Sequence, residues 1–352
     1  MPHIVQTSTA FPLNYYSQTE LTSELLQHID TSQLNPRLVT RLHQAVKVKG
    51  RHLAVSPSVI LSEKSFSKRN ALWIKSALEL GKKCLETLFS SQNIKPDEIN
   101  QLIFTTVTGL SVPSIDAKLM NLIPFSPHLK RVPLFGLGCV AGAAGISRAA
   151  DYLRGHPTES VILLSIELCS LTFQLDDLSM ANFVSTGLFG DGAAAVLLVG
   201  EKHPLSKNCP LVVANQSVFF KNTEYVMGWD IGETGFKIVL STDVPKIALE
   251  MLPDAIKQFL VTQDLKVADI DVWISHPGGP KVIDAIEKGL NLPSEALALS
   301  RESLATIGNL SSASVLAILQ KTLEQRQFLP GTYGLIMAMG PGFCAEMVLV
   351  KW

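Results

Sequence analysis

The sequence has little charge, and neither sign is concentrated anywhere. Charged residues make up 17% of the 352 residues, the formal net charge is −1, and no block of basic residues occurs. Nucleic acids and anionic membrane surfaces attract proteins through clustered lysine and arginine. We therefore expect no nucleic-acid partner. The 47% share of hydrophobic residues instead predicts a globular chain with a substantial core.

Long apolar runs are also missing. Runs such as Val161–Ile166 and Ala193–Val199 are far shorter than the roughly 20 residues that a membrane-spanning helix needs. The N-terminus, MPHIVQTSTAFP, has no cationic segment followed by an apolar one, as a secretory signal would. These absences predict a cytoplasmic protein without integral membrane association.

Cysteine is scarce and irregularly spaced. The five cysteines, at positions 84, 139, 169, 209 and 344, form no C-x-x-C pair. An odd set without such spacing argues against a disulfide framework or a zinc cluster. We expect reduced thiols, no bound metal and no cofactor.

What the sequence does contain is a weak internal duplication. In the first half the pattern predicts, in order, a helix, a strand, two helices and two strands: Ala71–Leu88, Gln101–Val107, Ile115–Leu122, a helix starting at Cys139, Ser160–Ile166 and Ala193–Val199. The second half repeats this order: Pro245–Leu260, Asp271–Ser275, Lys281–Leu290, a helix starting near Ser311, Leu335–Met339 and Ala345–Val350. Gln101 to Asp271 and Cys139 to Asn309 are the same distance along the chain, 170 residues.

Two such halves predict an α/β protein in which helix layers alternate with sheets. We expect an N-terminal half over residues 1–205 and a C-terminal half over residues 206–352. Cys139 and Asn309 then both lie where a turn enters a helix, and the dipole is positive there. His276 directly follows a strand, which is a common place for catalytic groups in α/β sheets.

The segment around Cys139 reads FGLGCVAGAAG. A thiol at a helix N-terminus has its thiolate stabilised, so we expect a nucleophile that is reactive near neutral pH. Two alternatives remain from the residues alone. One is a buried structural cysteine, and the other is a dinucleotide-binding loop formed by Gly136, Gly138 and Gly142.

His276 and Asn309 occupy similarly distinctive segments, WISHPGGP and IGNLSSA. The Pro-Gly-Gly-Pro turn holds His276 on a rigid loop, although a buried core histidine is the alternative. Taken by itself, Asn309 is better interpreted as a turn residue or an N-cap. Together, neutral His and Asn donors stabilise an oxyanion, which beside a thiol suits thioester chemistry.

With these motifs the chain resembles the type III polyketide synthases, the chalcone synthase-like members of the thiolase superfamily. The matching segments are FGLGCVAG, GLFGDGAAAVLLVG (187–200), WISHPGGP, IGNLSSASV (307–315) and MGPGF (339–343). The resemblance implies a duplicated α-β-α-β-α thiolase fold, a homodimer, and acyl-CoA and malonyl-CoA as substrates. It implies that Cys139 is the nucleophile and that His276 and Asn309 act on malonyl-CoA.

The same resemblance implies roles for further residues. Phe189 corresponds to a gatekeeper between the CoA tunnel and the cavity, Phe236 to a second cavity phenylalanine, and Arg41 to a residue that pairs with CoA phosphate. The remaining implied substrate contacts are Cys169, Thr172, Ser185, Met339, Gly340, Pro341 and Gly342.

Two segments refine the resemblance. MGWDIGETGF (227–236) is similar to the bacterial branch that makes alkylpyrones or alkylresorcinols. The loop Ala338-Met339-Gly340-Pro341-Gly342 departs from the usual G-F-G-P-G, with a flexible methionine in place of an aromatic ring. Small or flexible cavity residues favour a medium- to long-chain fatty acyl starter.

Three other functions use some of the same residues. An initiating ketoacyl synthase has the same Cys/His/Asn set but takes malonyl from a carrier protein. A cysteine hydrolase has the same chain order, although its nucleophile does not enter a glycine-rich helix in this way. A non-catalytic acyl-lipid binding protein would have no need of the three polar groups.

Overall fold

The computed structural model describes residues 1–29, 35–92, 94–325 and 328–352. In chain order the strands of the described part are β1 (His3–Ala10), β2 (Tyr15–Ser17), β3 (Gly50–His52), β4 (Gln101–Thr106), β5 (Lys130–Phe135), β6 (Ser160–Leu168), β7 (Asp191–Val199), β8 (Leu211–Phe219), β9 (Met227–Gly232), β10 (Gly235–Leu240), β11 (Val272–Ser275), β12 (Tyr333–Gly340) and β13 (Cys344–Lys351).

The helices of the same residues are α1 (Gln18–His28), α2 (Pro36–Ala45), α3 (Pro57–Ser62), α4 (Phe66–Gln92), α5 (Ile115–Leu119), α6 (Ala141–Gly155), α7 (Met180–Leu188), α8 (Val244–Glu250), α9 (Leu252–Val261), α10 (Pro280–Leu290), α11 (Ala298–Ile307) and α12 (Ala313–Gln325). Within the described ranges, no helix is both long and apolar enough to cross a lipid bilayer.

The main sheet consists of two similar halves. Its strand order is β11-β12-β13-β8-β1-β7-β6-β4-β5, and β8 meets β1 only through the pair His3 and Leu211. In one half, β4 is parallel to β6, which is antiparallel to β7. In the other, β11 is parallel to β12, which is antiparallel to β13. The order β4-β6-β7-β1 is therefore repeated as β11-β12-β13-β8, which confirms the internal duplication.

Successive strand residues point to different layers, as the period of two in a strand requires. On β4, Leu102 and Phe104 pack in the outer cluster with α4, whereas Ile103 packs in the central cluster with α6 and α12. On β11, Trp273 faces the other outer layer, α8 to α11, and Ile274 faces the centre. The result is an α-β-α-β-α arrangement, the thiolase fold that the resemblance implies.

The central helices α6 and α12 pack very closely. A Cβ atom built on Gly142 would lie 2.2 Å from the carbonyl oxygen of Ser312, so only glycine fits where the start of α6 meets the turn before α12. The small residues after Cys139 thus bring the N-terminal ends of both helices, and the cysteine and asparagine beside them, to one place.

Two predicted helices are wrong in detail. The helix predicted over Pro245–Leu260 is two helices, α8 and α9, which meet at Met251; Pro253 has no amide hydrogen to donate to the preceding turn. The helix predicted to start at Cys139 begins as a tight 3₁₀ turn over Gly138–Val140, and α6 starts at Ala141.

Candidate active site

Cys139, His276 and Asn309 lie together around one cavity of about 380 Å³, the triad cavity. Cys139 is in the 3₁₀ turn before α6, His276 follows the last residue of β11, and Asn309 lies between α11 and α12. Although these residues are far apart in sequence, the duplicated fold brings the three helix- and strand-end positions to the same side of the sheet. The sequence analysis predicted that Cys139, His276 and Asn309 would share one site, and the structure places them around one cavity.

The His276 ring is buried and has no protein partner. Only 4% of the residue is exposed, and neither Nδ1 nor Nε2 has a hydrogen-bond partner in the described part of the chain. Its backbone N–H donates to the carbonyl of Met337 at 2.9 Å, which extends the β11–β12 pairing and fixes the loop. Burial lowers the pKa of His276 to about 3. A neutral imidazole with an unused N–H is available to a substrate oxygen.

The Asn309 side chain is oriented by the turn that follows it. Its Oδ1 accepts a hydrogen bond from the backbone N–H of Ser311 at 2.8 Å and a longer one from Ser314 Oγ at 3.4 Å. Because Oδ1 is occupied, Nδ2 is left as the donor that can serve a ligand in the triad cavity. Two neutral donors, from His276 and Asn309, therefore line the same space.

The Cys139 thiol is less acidic than the sequence predicts. Its Sγ lies 3.6 Å from Ser311 Oγ, but burial raises the pKa of Cys139 to about 12. The direction of this shift is opposite to the one that the helix start predicts. Desolvation of the charged form outweighs the favourable dipole of the helix start.

Glu167 is a buried carboxyl beside this site that the sequence analysis missed. It is fully buried and accepts hydrogen bonds from the Val107 N–H at 3.0 Å, from Thr108 Oγ1 at 2.9 Å and from Ser312 Oγ. Burial raises the pKa of Glu167 to about 7. A signal was present in the sequence, since a glutamate interrupts the otherwise apolar strand SVILLSIEL.

Two larger cavities share lining residues with the triad cavity. A proximal cavity of about 480 Å³ is lined by Cys139 together with Cys169, Phe189 and Pro341. A distal cavity of about 690 Å³ adjoins it and is lined by Cys169, Phe189, Thr172 and Ser185. Phe189 lines all three cavities, so this residue lies between them. The predicted substrate contacts Cys169, Thr172 and Ser185 lie on the two larger cavities.

The loop that departs from the family pattern lies close to the nucleophile. Met339 lines the triad cavity beside His276. A Cβ atom on Gly340 would come within 2.6 Å of the Leu137 carbonyl, so the loop packs against the turn that carries Cys139. Gly342, at φ +136°, allows the bend that follows Pro341.

Four predicted substrate contacts do not line these cavities: Gly340 and Gly342 of the loop described above, and also Phe236 and Arg41. Phe236 is buried but does not line any of the three; its ring packs edge-on against Phe66 with centroids 5.6 Å apart. Ile238, two residues along β10, lines the proximal and distal cavities instead. Phe236 lies nearer the hairpin turn, where it meets α4. Arg41 is exposed on α2 and lies outside the lining of all three.

Trp229 is a cavity-lining residue that the sequence analysis missed. It lies on β9 and lines both the proximal and the distal cavity. Residues 227–240 form a two-stranded hairpin separate from the main sheet. The glycines at 232 and 235 indicated this turn, but only the packing of the hairpin shows which of its side chains face the cavities. Among the residues that the structure describes, no group of three or more His, Cys, Asp or Glu side chains could hold a metal ion.

Comparison with known proteins gives one consistent family. Residues 3–202 match the N-terminal domain of chalcone and stilbene synthases, and residues 210–352 match the C-terminal domain. The chain is 41% identical to 1,3,6,8-tetrahydroxynaphthalene synthase from Streptomyces peucetius subsp. caesius, over 99% of this chain and 93% of that protein. It is 29% identical to the alpha-pyrone synthesis polyketide synthase-like Pks18 from Mycobacterium tuberculosis, over 88% and 81%.

The fold is similar to solved structures across its whole length. The crystal structure of 1,3,6,8-tetrahydroxynaphthalene synthase from Streptomyces coelicolor A3(2), a bacterial type III polyketide synthase, superimposes with a TM-score of 0.94 at 28% identity. The match covers 99% of each chain. Neither half of the fold is missing from this relative.

Proposed function

The chain belongs to the chalcone and stilbene synthase family of type III polyketide synthases, and we propose that it extends a fatty acyl starter held on Cys139. It is an acyltransferase that condenses malonyl-CoA units, and its family uses CoA thioesters as substrates. The observation that carries the proposal is that an unpartnered imidazole, an oriented amide and a thiol line one cavity, which shares lining residues with two larger ones.

The first step loads the starter onto Cys139. The sulfur attacks the acyl-CoA carbonyl, a new thioester forms, and the CoA thiol leaves with the proton that the cysteine gives up. His276 lines the same cavity as Cys139, and its buried ring nitrogens have no other partner, so the imidazole is the proton acceptor that we propose for this step. This proton transfer generates the nucleophile at the moment of attack.

The second step makes the carbon nucleophile. Malonyl-CoA loses CO₂, and the electron pair of the broken bond passes into the thioester as an enolate. His276 and the Nδ2 group of Asn309 donate to the enolate oxygen, which stabilises the charge. The enolate carbon then attacks the acyl group on Cys139 and releases the sulfur, and the chain is longer by one two-carbon unit.

The lining of the proximal cavity favours an alkyl starter. The proximal cavity is lined mostly by apolar groups, including Val107, Met227 and Leu240, and each methylene buried there contributes about 0.8 kcal/mol. The distal cavity adds room for a longer chain beyond Cys169. Medium- to long-chain fatty acyl-CoAs are the starters we propose, with closure to a pyrone or resorcinol-type product.

A second candidate product is a tetrahydroxynaphthalene. The 41% identity to a tetrahydroxynaphthalene synthase over 99% of the chain favours it. Such a ring system can be built wholly from malonyl units, so it needs no fatty acyl starter. Incubation with malonyl-CoA alone separates the two, because the acyl-starter enzyme should give its main product only when a fatty acyl-CoA is added.

Arg41 is proposed to bind CoA phosphate outside the cavities. It is exposed on α2, and a guanidinium is well suited to phosphate. Arg41→Ala should raise KM for acyl-CoA several-fold and leave KM unchanged for acyl N-acetylcysteamine thioesters, which lack the phosphates. Equal effects on both thioesters would contradict a phosphate contact.

We propose a homodimer formed through the β5 edge of the sheet. Phe135 ends this strand and is 49% exposed, and the loop after β4 exposes Leu110 and Val112 at 40% and 101%. Phe135 is paired with Thr106, the last residue of β4, so these apolar groups lie at one end of the edge. Sedimentation should show a dimer that Phe135→Asp shifts toward monomer; a wild-type monomer would contradict this.

The starter class is tested with a panel of acyl-CoAs. We expect kcat/KM to be highest for lauroyl-CoA, lower for hexanoyl- and acetyl-CoA, and lowest for p-coumaroyl-CoA, with products identified by mass spectrometry. Preference for p-coumaroyl-CoA, or loss of activity beyond short chains, would overturn the fatty acyl proposal without affecting the family assignment.

A further inference from the structure

Four residues line both the proximal and the distal cavity, namely Cys169, Phe189, Trp229 and Ile238, and we call this boundary between the two cavities the neck. Cys169 and Phe189 belong to the main body of the fold, at the ends of β6 and α7. Trp229 and Ile238 come from the separate hairpin of β9 and β10. An acyl chain on Cys139 that reaches the distal cavity must pass between these two groups.

The hairpin side of the neck is one continuous surface. Trp229 and Ile238 are directly opposite each other in the antiparallel register, so their side chains lie on the same face of the hairpin. Phe236 is paired with Ile231, which makes it the diagonal neighbour of Trp229 on that face. The indole and the Phe236 ring have centroids 5.7 Å apart.

The indole is supported from behind. Phe236 is only 2% exposed and packs edge-on against Phe66 of α4. A Cβ atom on Gly235 would lie 2.6 Å from the Phe66 ring, so the hairpin turn sits directly on that ring. The Gln174 amide also donates to the carbonyls of Thr234 and Phe236 at 3.2 and 3.1 Å. Together these contacts hold the hairpin in place.

We infer that Trp229 is a specificity-determining residue that sets the width of the neck, so that unbranched alkyl chains pass and rigid rings do not. The inference rests on the proposed function, since it assigns the place where the starter class is selected. Trp has the bulkiest side chain available, and a well-packed passage cannot widen without displacing its neighbours. An alkyl chain is narrower than an aromatic ring and adapts by bond rotation.

The experiment compares Trp229→Ala, Trp229→Phe and the matched control Ile231→Ala. Ile231 is on the same strand but is 59% exposed and lies outside the neck. For each protein, kcat/KM is measured with lauroyl-CoA and p-coumaroyl-CoA, and acyl loading of Cys139 is followed by intact-protein mass spectrometry. The phenylalanine variant keeps an aromatic ring against Phe236, so it tests the neck even if the alanine variant is poorly folded.

We expect Trp229→Ala to raise the p-coumaroyl to lauroyl ratio of kcat/KM at least tenfold, in loading as well as in turnover. Trp229→Phe should shift it in the same direction by less, and Ile231→Ala should leave it unchanged. If the wild type prefers lauroyl-CoA and both Trp229 variants keep its ratio, the role of Trp229 is wrong while the fatty acyl proposal stands. If the wild type prefers p-coumaroyl-CoA, the fatty acyl proposal and the role of Trp229 are both wrong.

Discussion

Phe189 and Asn309 are joined through their backbones. The N–H of Asn309 donates to the carbonyl of Leu188 at 2.9 Å, and the N–H of Gly190 donates to the carbonyl of Asn309 at 3.0 Å, which makes an isolated parallel bridge. The residue that lines all three cavities and the amide donor of the triad cavity therefore share one rigid connection. Movement of the turn after α7 must also move Asn309.

Gly190→Ala tests this connection. A Cβ atom at this position would lie 2.5 Å from the Ile307 carbonyl, so the two turns must separate. We expect kcat for condensation to fall at least tenfold while acyl loading of Cys139 is retained, because small displacements of a catalytic donor are costly. Gly155→Ala, where a Cβ meets nothing within 4 Å, is the control. Unchanged condensation in Gly190→Ala would show that the bridge does not position Asn309.

The roles of His276 and Asn309 can be separated from loading. His276→Ala and Asn309→Ala should each reduce malonyl-CoA decarboxylation roughly a hundredfold or more, as removal of an oxyanion donor does. Asn309→Ala should still accept an acyl group on Cys139, which mass spectrometry detects. Asn121→Ala, at an exposed position, serves as a control. Wild-type decarboxylation by Asn309→Ala would refute its assignment as a donor.

The reactivity of Cys139 should depend steeply on pH. Because burial raises its pKa to about 12, the thiolate fraction rises tenfold per pH unit below that value. Iodoacetamide modification of Cys139, followed by peptide mass spectrometry, should accelerate about tenfold per unit from pH 6 to pH 9. Cys139→Ala should abolish both loading and product formation. A rate that is already constant at pH 7 would instead indicate a stabilised thiolate in the free enzyme.

Glu167 should make the folded state less stable as pH rises. Its pKa is raised to about 7 in the folded chain from an ordinary value of 4.5, so folding favours the protonated form. The stabilisation is complete below pH 4.5 and is lost as pH rises through 7. Urea titrations at pH 5 to 8 measure the free energy of unfolding of the wild type and of Glu167→Gln. As pH increases, the wild type should lose stability relative to the glutamine variant. A constant difference would contradict a buried, titrating carboxyl.

Cys169→Trp should obstruct the neck from the side opposite the hairpin. Cys169 is 8% exposed and lines both larger cavities, and a ring inserted into a packed site typically costs about 1–3 kcal/mol. We expect kcat/KM for lauroyl-CoA to fall at least tenfold and that for acetyl-CoA to change little. Cys209→Trp, which is outside the cavities, should affect neither. Lauroyl-CoA turnover unaffected by Cys169→Trp would mean that the chain does not pass this point.

Much of the fold was predictable because the signals are local. Short apolar runs such as Val161–Ile166 and Ala193–Val199 favour buried strands, and the structure confirms them as parts of β6 and β7. The equal offset from Gln101 to Asp271 and from Cys139 to Asn309 predicts a repeated unit, and the repeated strand order confirms it. The break between α8 and α9 was missed, although Pro253 indicated it.

The three catalytic candidates could be chosen from the sequence because each has an unusual local setting: a thiol between glycines, a histidine before Pro-Gly-Gly-Pro, an asparagine after glycine. Only tertiary packing decided their ionisation and surroundings. The pKa of Cys139 depends on the burial of its sulfur. Segments that are distant in sequence produce this burial, and its effect on the pKa is opposite to that of the local helix dipole. Likewise, Trp229 and Ile238 line the neck and Phe236 does not, because of how the hairpin packs against α4 and the main sheet. No local sequence pattern encodes that placement.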